Sequence, residues 1–564
     1  MKFPEYEYKR PQMDKAKVQF DAALLAFKQA KTAEEQIEAM KKINRIRNKL
    51  YTMLNLVMIR HSIDTNDQFY QQEQDYTDEI GPEIEGLSTQ FYEALVQSKF
   101  REELENKWGK QLFALADSEL KTFKPVIVPL LQKENKLTSD YNKLIASAKI
   151  NFDGKELTLA QLDPYIESKD RQLRKEASAA KFQFLADNEH KLDQIYDDLV
   201  KIRTEIAHQL GYENFVELGY YRMLRIGYDA NMVAKFRKQV EEFIVPMVAK
   251  LKERQRVRID VDSLKYFDEP FNFLSGNPMP KGSSDWIINK GQTMYQELSP
   301  ETGEFFDFMI DNELMDLLAK KGKESGGYCT FIEDYQAPFI FSNFNGTSGD
   351  IDVLTHEAGH AFQVYASKGF EIPEYIWPTH EAAEIHSMSM EFFTWPWMDT
   401  FFKEDGDKYR FAHLSSALIF LPYGVAVDEF QHWVYENYQA TPAERKAAWR
   451  KIEKKYMPYK DYEDNEYLER GGYWQRQGHI YSSPFYYIDY TLAQICAFQF
   501  WQKSQENHEE AWNDYLHLCK LGGSQSFTGL VSEANLISPF EDGCVESVVG
   551  SIEKWLNQVD DKKL

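Results

Sequence analysis

Apolar residues recur at helical spacing along most of this chain and alternate at strand spacing in only a few short places. From about residue 12 to 148 Glu, Lys, Gln, Ala and Leu dominate and β-branched runs are scarce, which predicts successive helices with few interruptions. Thr32 and Glu35 have capping-box spacing ahead of an amphipathic stretch that ends near the apolar residues 50–59. Phe123-Lys124-Pro125 interrupts or kinks a later helix, because proline lacks the N–H. The period changes at Ile150-Asn151-Phe152-Asp153-Gly154-Lys155-Glu156-Leu157, which alternates about an Asp-Gly pair and predicts a short hairpin. Thr158 and Gln161 then open another helical block, which runs to about residue 258 and includes 232–255.

A loop rich in Gly, Pro and Ser at 274–284 precedes a helix that starts at Ser299-Pro300-Glu301 and finishes before Gly322. The best strand candidates are Gly326-Gly327-Tyr328-Cys329-Thr330-Phe331-Ile332 and Ala337-Pro338-Phe339-Ile340-Phe341-Ser342-Asn343-Phe344. A turn at Asn345-Gly346-Thr347-Ser348-Gly349 leads into a further helix, with Thr347 and Asp350 at capping-box spacing. The expected fold is mainly α with a small β element beside that helix. A soft boundary separates an N-terminal helical region, 1–165, from a remainder, 166–564.

Composition narrows the function. The 564 residues are 43% hydrophobic and 15% aromatic, ample for an extensive core. The 33 Tyr and 38 Phe point either to aromatic packing or to a cavity lined by tyrosines. A formal net charge of -24 repels nucleic acid and anionic lipid, so neither is expected as a partner. The N-terminus has no apolar signal-like region, and no uncharged apolar run approaches the roughly 20 residues of a membrane span. The four cysteines are far apart and form no CxxC pair, which predicts buried thiols and a reducing, cytoplasmic setting. The sequence does not fix the oligomeric state.

The chemistry concentrates at His356-Glu357-Ala358-Gly359-His360. Two histidines four apart on a helix point the same way and can grip one metal ion. Glu357 lies too close to be a third ligand but can take a proton from a water on the metal. Catalytic zinc sites use three protein ligands. A third histidine in the extended pattern is excluded, because the relevant positions hold Gln363 and Ala366. A glutamate on a following helix is the alternative, and Glu381, Glu384 and Glu391 share one helical stripe there. Spacing alone does not choose among them.

With those residues the chain resembles the thimet oligopeptidase and oligoendopeptidase F superfamily of gluzincin metallopeptidases, the bacterial oligoendopeptidase F branch above all. The likeness rests on His356-Glu357-Ala358-Gly359-His360 with Ala361-Phe362-Gln363, and on Glu384-Ile385-His386-Ser387-Met388-Ser389-Met390-Glu391. It rests also on Gly478-His479-Ile480-Tyr481-Ser482-Ser483-Pro484-Phe485-Tyr486-Tyr487-Ile488-Asp489-Tyr490. The resemblance implies Glu384 as third ligand to a single zinc ion, with Glu381 an acid that orients a ligand histidine. It implies His479, Tyr486 and Tyr490 across the cleft, in contact with the substrate carbonyl, with Tyr487 the next choice. It also implies two helical lobes flanking a deep channel that admits short peptides.

The expected activity is zinc-dependent cleavage of internal bonds in oligopeptides, with Glu357 as general base. A dipeptidyl carboxypeptidase or carboxypeptidase would share this metal site, and a non-catalytic peptide-binding protein is the reading of a different class. The strand 339–344 is expected to pair with an extended peptide by strand addition. Gly471-Gly472, in a tyrosine-rich loop, suggests a segment that closes on substrate.

Overall fold

The computed structural model describes residues 1–564 and is built almost entirely of helices, with one two-stranded and one three-stranded sheet. The N-terminal helices Met13–Gln29, Ala33–Ile63, Gln68–Val96 and Gln111–Glu119 turn their apolar stripes inward around Phe20, Phe27, Ile43, Phe91 and Phe113. Ile372 and Tyr375, far along the chain, complete that core. The main core draws on residues from Phe3 to Leu556, so both ends of the sequence are built into it.

Local signals act as the sequence predicts at several points. The Thr32 side chain accepts a hydrogen bond from the Glu35 N–H and starts helix Ala33–Ile63. The hairpin of β1 (Ile150–Phe152) and β2 (Lys155–Leu157) pairs Ile150 with Leu157, and Asp153 and Gly154 take positive φ of 50° and 69° in its two-residue turn. Pro125 opens a single turn that leads into helix Val128–Ala146, so the chain breaks there rather than bending one helix.

The three-stranded sheet contains β3 (Met315–Leu318), β4 (Tyr328–Ile332) and β5 (Ala337–Phe344) in the order β3-β5-β4. β5 runs parallel to β3 and antiparallel to β4, with Tyr328 opposite Phe341. The expectation that residues 339–344 offer a free edge to a peptide is therefore wrong, because β5 is the middle strand with partners on both sides. β3 was not anticipated; four residues reading Met-Asp-Leu-Leu carry too little period to mark a strand.

From β5 the chain turns directly into helix Gly349–Ser367, which carries the His-Glu-x-x-His motif. Asp350 does not close a capping box with Thr347. Its carboxylate accepts from the N–H groups of Asn345 (2.8 Å) and Gly346 (2.9 Å) and ties the turn to the helix. Helix Gly349–Ser367 lies against helix His380–Phe393 at unusually close range: a Cβ added at Gly359 would sit 2.6 Å from the His386 carbonyl oxygen. The glycine between the motif's histidines is thus what lets the second helix approach.

The Gly471-Gly472 pair is closely packed. Gly471 has φ 93° and its absent Cβ would fall 2.0 Å from the Lys446 carbonyl oxygen, while Gly472 packs on the Tyr467 ring. These glycines permit tight packing. One helical stretch within His380–Glu436 is long and apolar enough to span a membrane by composition, and the qualifying window is 72% buried inside the protein.

Candidate metal centre

His356 and His360 project from the first helix toward Glu384 on the second. The Glu384 Oε2 atom lies 3.2 Å from His356 Nε2 and 3.3 Å from His360 Nε2, and the three donor atoms lie within 4.8 Å of one another. Two imidazole nitrogens and one carboxylate oxygen suit a borderline divalent cation such as Zn²⁺. Burial pushes the Glu384 carboxyl up, but His360 and His356 outweigh it and hold the group well below the carboxylate range. Burial likewise disfavours a charged His356, yet Glu384 and Glu391 overcome this and raise it. The site thus draws positive charge onto itself, and a cation satisfies the same field.

Glu357 sits on the same helix, buried, and its Oε2 has no hydrogen-bond partner. Burial raises its pKa, only partly offset by His356 and His360. A buried carboxylate oxygen without a partner is costly, and Glu381 shares that condition; what sets Glu357 apart is its place on the helix between His356 and His360. Space is kept beside it too: a Cβ on Gly327 would lie 3.4 Å from Glu357 Oε1 and 3.1 Å from Val353 Cγ1.

The histidine-orienting role expected of Glu381 belongs to Glu391. Its Oε1 lies 2.7 Å from His356 Nδ1, and its Oε2 lies 2.8 Å from His413 Nε2. Glu381 is fully buried elsewhere, among Arg225, Tyr228 and Thr379, and burial pushes its pKa up to about 7. His413, on helix Gly406–Glu436, went unrecognised in the sequence because nothing in its surroundings there distinguishes it from a core histidine.

His479, Tyr486 and Tyr490 come together opposite the triad. Tyr486 donates to Glu384 Oε1 (2.5 Å). His479 Nε2 lies 3.0 Å from the Tyr490 hydroxyl, and Gln477 Nε2 lies 2.8 Å from His479 Nδ1. With Gln477 donating to Nδ1, the ring proton of His479 sits on Nε2 and is given to Tyr490, which leaves the Tyr490 O–H free to donate. Burial lowers the His479 pKa to about 4, so the ring is neutral near pH 7. Tyr487 packs on His479 and Tyr490 as well as on Phe420 and Tyr423, and makes no side-chain hydrogen bond to Glu384 or His479.

His479 and Tyr490 border a cavity of ≈ 970 Å³ whose wall also includes Gly326, Gly327, Glu391, Tyr423 and Tyr487. Tyrosines line it, so the high aromatic content serves both packing and a cavity. At the outer strand β4, the Phe331 carbonyl accepts from Asn55 Nδ2 (2.8 Å), and Gly326 and Gly327, just ahead of that strand, lie on the cavity wall.

Comparison with known proteins follows the same outline. Residues 3–123 match the peptidase M3 N-terminal domain and residues 303–549 match peptidase family M3. The chain is 68% identical to PZ peptidase A, solved with an inhibitor, over 100% of both chains with a TM-score of 0.99. It is 61% identical to a Bacillus anthracis str. Ames structure provisionally called an oligoendopeptidase F, over 100% of this chain and 99% of that one, with a TM-score of 0.95. It is 21% identical to the chromosomal oligoendopeptidase F of Lactococcus lactis subsp. cremoris, covering 94% of this chain and 90% of that protein.

Proposed function

This chain belongs to peptidase family M3 and is an oligopeptidase, a hydrolase of internal peptide bonds; on that premise we propose that His356, His360 and Glu384 hold one zinc ion and that Glu357 is the general base. The observation that carries this reading is the convergence of three ligand atoms on one point beside a buried carboxylate with no partner of its own.

Zinc at this position supplies Lewis acidity to the scissile carbonyl and lowers the pKa of the attacking water. Glu357 accepts the water proton and delivers it to the leaving amine. Its buried setting favours that cycle, because a carboxylate deprived of solvent binds a proton more readily than one in water. Tyr490, with its oxygen held by His479, donates its O–H to the oxyanion as charge develops there. Tyr486 steadies Glu384 through the carboxylate oxygen that faces away from the histidines. The backbone at Gly326 and Gly327 takes the peptide-pairing role that β5 cannot, and the missing side chain of Gly327 leaves room for substrate against Glu357.

Peptides blocked at both ends and carrying an internal fluorescence quench test the proposal. They are expected to be cleaved, to be spared after chelation, and to be cleaved again on return of zinc. A dipeptidyl carboxypeptidase or carboxypeptidase spares them throughout, and a peptide-binding protein cleaves nothing.

A further inference from the structure

Arg476 stands apart from every other cation on the wall of the ≈ 970 Å³ cavity. Lys181 is paired with Asp163 at 2.9 Å, and Lys460 with Glu269 at 2.9 Å. Lys252 shares that same Glu269 at 3.8 Å, so two ammonium groups already face one carboxylate. Arg476 has neither an ion pair nor a hydrogen bond. Its guanidinium lies over two aromatic faces, 4.2 Å from the Tyr473 ring centroid and 5.3 Å from that of Tyr423, and the side chain stays exposed to the cavity.

Stacking of this kind fixes the plane of a guanidinium while leaving its N–H edge unused, and that edge matches a carboxylate in a two-point contact. The position is linked to the reacting region. Tyr423, under Arg476, donates to Gln477 Oε1 (3.0 Å), and Gln477 holds His479 (2.8 Å). Tyr487, which packs on Tyr423, also packs on His479 and Tyr490. A group bound at Arg476 therefore occupies the cavity whose wall holds His479, Tyr487 and Tyr490. On a wall that also carries carboxylates, Arg476 is the cation that none of them pairs.

We propose that Arg476, stacked on Tyr423 and Tyr473, is a subsite for a carboxylate of the peptide substrate, supplied either by its C-terminus or by an Asp or Glu side chain. This extends the oligopeptidase reading and rests on it.

Two sets of internally quenched peptides separate the sources. One pair differs only in a free C-terminal carboxylate against a carboxamide. The other set is blocked at both ends and carries Glu or Gln at successive positions around the cleaved bond. Wild-type protein is expected to prefer the acid of at least one pair by about tenfold in kcat/KM, mainly through KM. The pair that shows the preference identifies the source. In Arg476→Gln the acid-to-neutral ratio falls to near one, and Arg476→Lys keeps part of it. Calorimetric binding of the preferred acid and its neutral partner, measured in a Glu357→Gln background with and without Arg476→Gln, reads the same ratio without turnover. A cleavage failure with the binding preference intact then counts against the catalytic assignment and not against this subsite. Equal handling of acid and neutral members by the wild type overturns the proposal, as does an Arg476→Gln loss of the same factor on both members.

Discussion

Glu391 Oε1 lies 2.7 Å from Nδ1 of His356, which leaves the Nε2 of that ring turned toward Glu384 and His360. The arrangement is fixed from behind. Trp395 Nε1, which can only donate, lies 3.1 Å from His413 Nδ1, so the His413 proton is on Nε2 and goes to Glu391 Oε2. Burial raises the Glu391 pKa, but its two histidine partners more than offset this and keep it below the ordinary carboxylate range. A chain of hydrogen bonds thus sets the tautomer of His356.

Glu391→Gln is expected to weaken zinc binding by about 10–100-fold, the usual scale for an outer partner of a ligand histidine. Competition with a chromophoric chelator reads it directly. Unchanged affinity would remove Glu391 from the account.

The two tyrosines facing the triad should separate in kinetics. Tyr490→Phe removes the O–H free to reach the oxyanion and is expected to lower kcat about 10²–10³-fold with a smaller change in KM. Tyr486→Phe removes a bond to Glu384 instead, so its main effect should appear in metal affinity. Steady-state kinetics at saturating zinc distinguishes them, and the reverse pattern contradicts the assignment.

The segment carrying those tyrosines is held by buried charge. Phe485 has φ 69°, outside the range bulky residues favour; its N–H is accepted by Gln431 (2.9 Å) and its carbonyl is held by Arg225. Arg225 also pairs with Asp489 at 3.1 Å, with both side chains fully buried. Arg225→Leu leaves Asp489 and Glu381 without a cation and is expected to cost about 3–5 kcal/mol. The shift of the urea midpoint at constant slope measures it; a change under about 1 kcal/mol argues against a buried ion pair there.

His479 gives the stability a pH dependence of known sign. Its folded-state pKa is depressed by burial to about 4, against about 6.5 in an unfolded chain. Well above pH 6.5 neither state is protonated at this ring. As pH falls from 6.5 to 4 the unfolded state takes up the proton first, so stability drops, by up to about 3 kcal/mol. Comparing wild type with His479→Gln over this window should show a shallower slope in the variant. Equal slopes mean that the ring titrates normally.

Much of this was legible in the chain where short-range chemistry decides. The Asp153-Gly154 turn and the Thr32 cap need only their own neighbours to form. The helical spacing of His356 and His360 likewise places both on one face without reference to the rest of the molecule. Selection among Glu381, Glu384 and Glu391 was not legible from spacing, because all three sit on one stripe and only the packing of two helices across Gly359 decides which faces the histidines. His413, Trp395 and Arg476 come from segments remote from the motif, and their roles arise from partners that only the folded chain supplies. The place of β5 in the middle of its sheet depended on β3, a strand too short to announce itself.

The most direct test of the central claim is Glu357→Gln, assayed on a doubly blocked, internally quenched peptide with bound zinc measured in the same sample. Glutamine keeps the size and loses the base, so one equivalent of zinc should remain while kcat falls by at least about 10²-fold. A variant that holds its zinc and cleaves at the wild-type rate would contradict the assignment of Glu357 as the base.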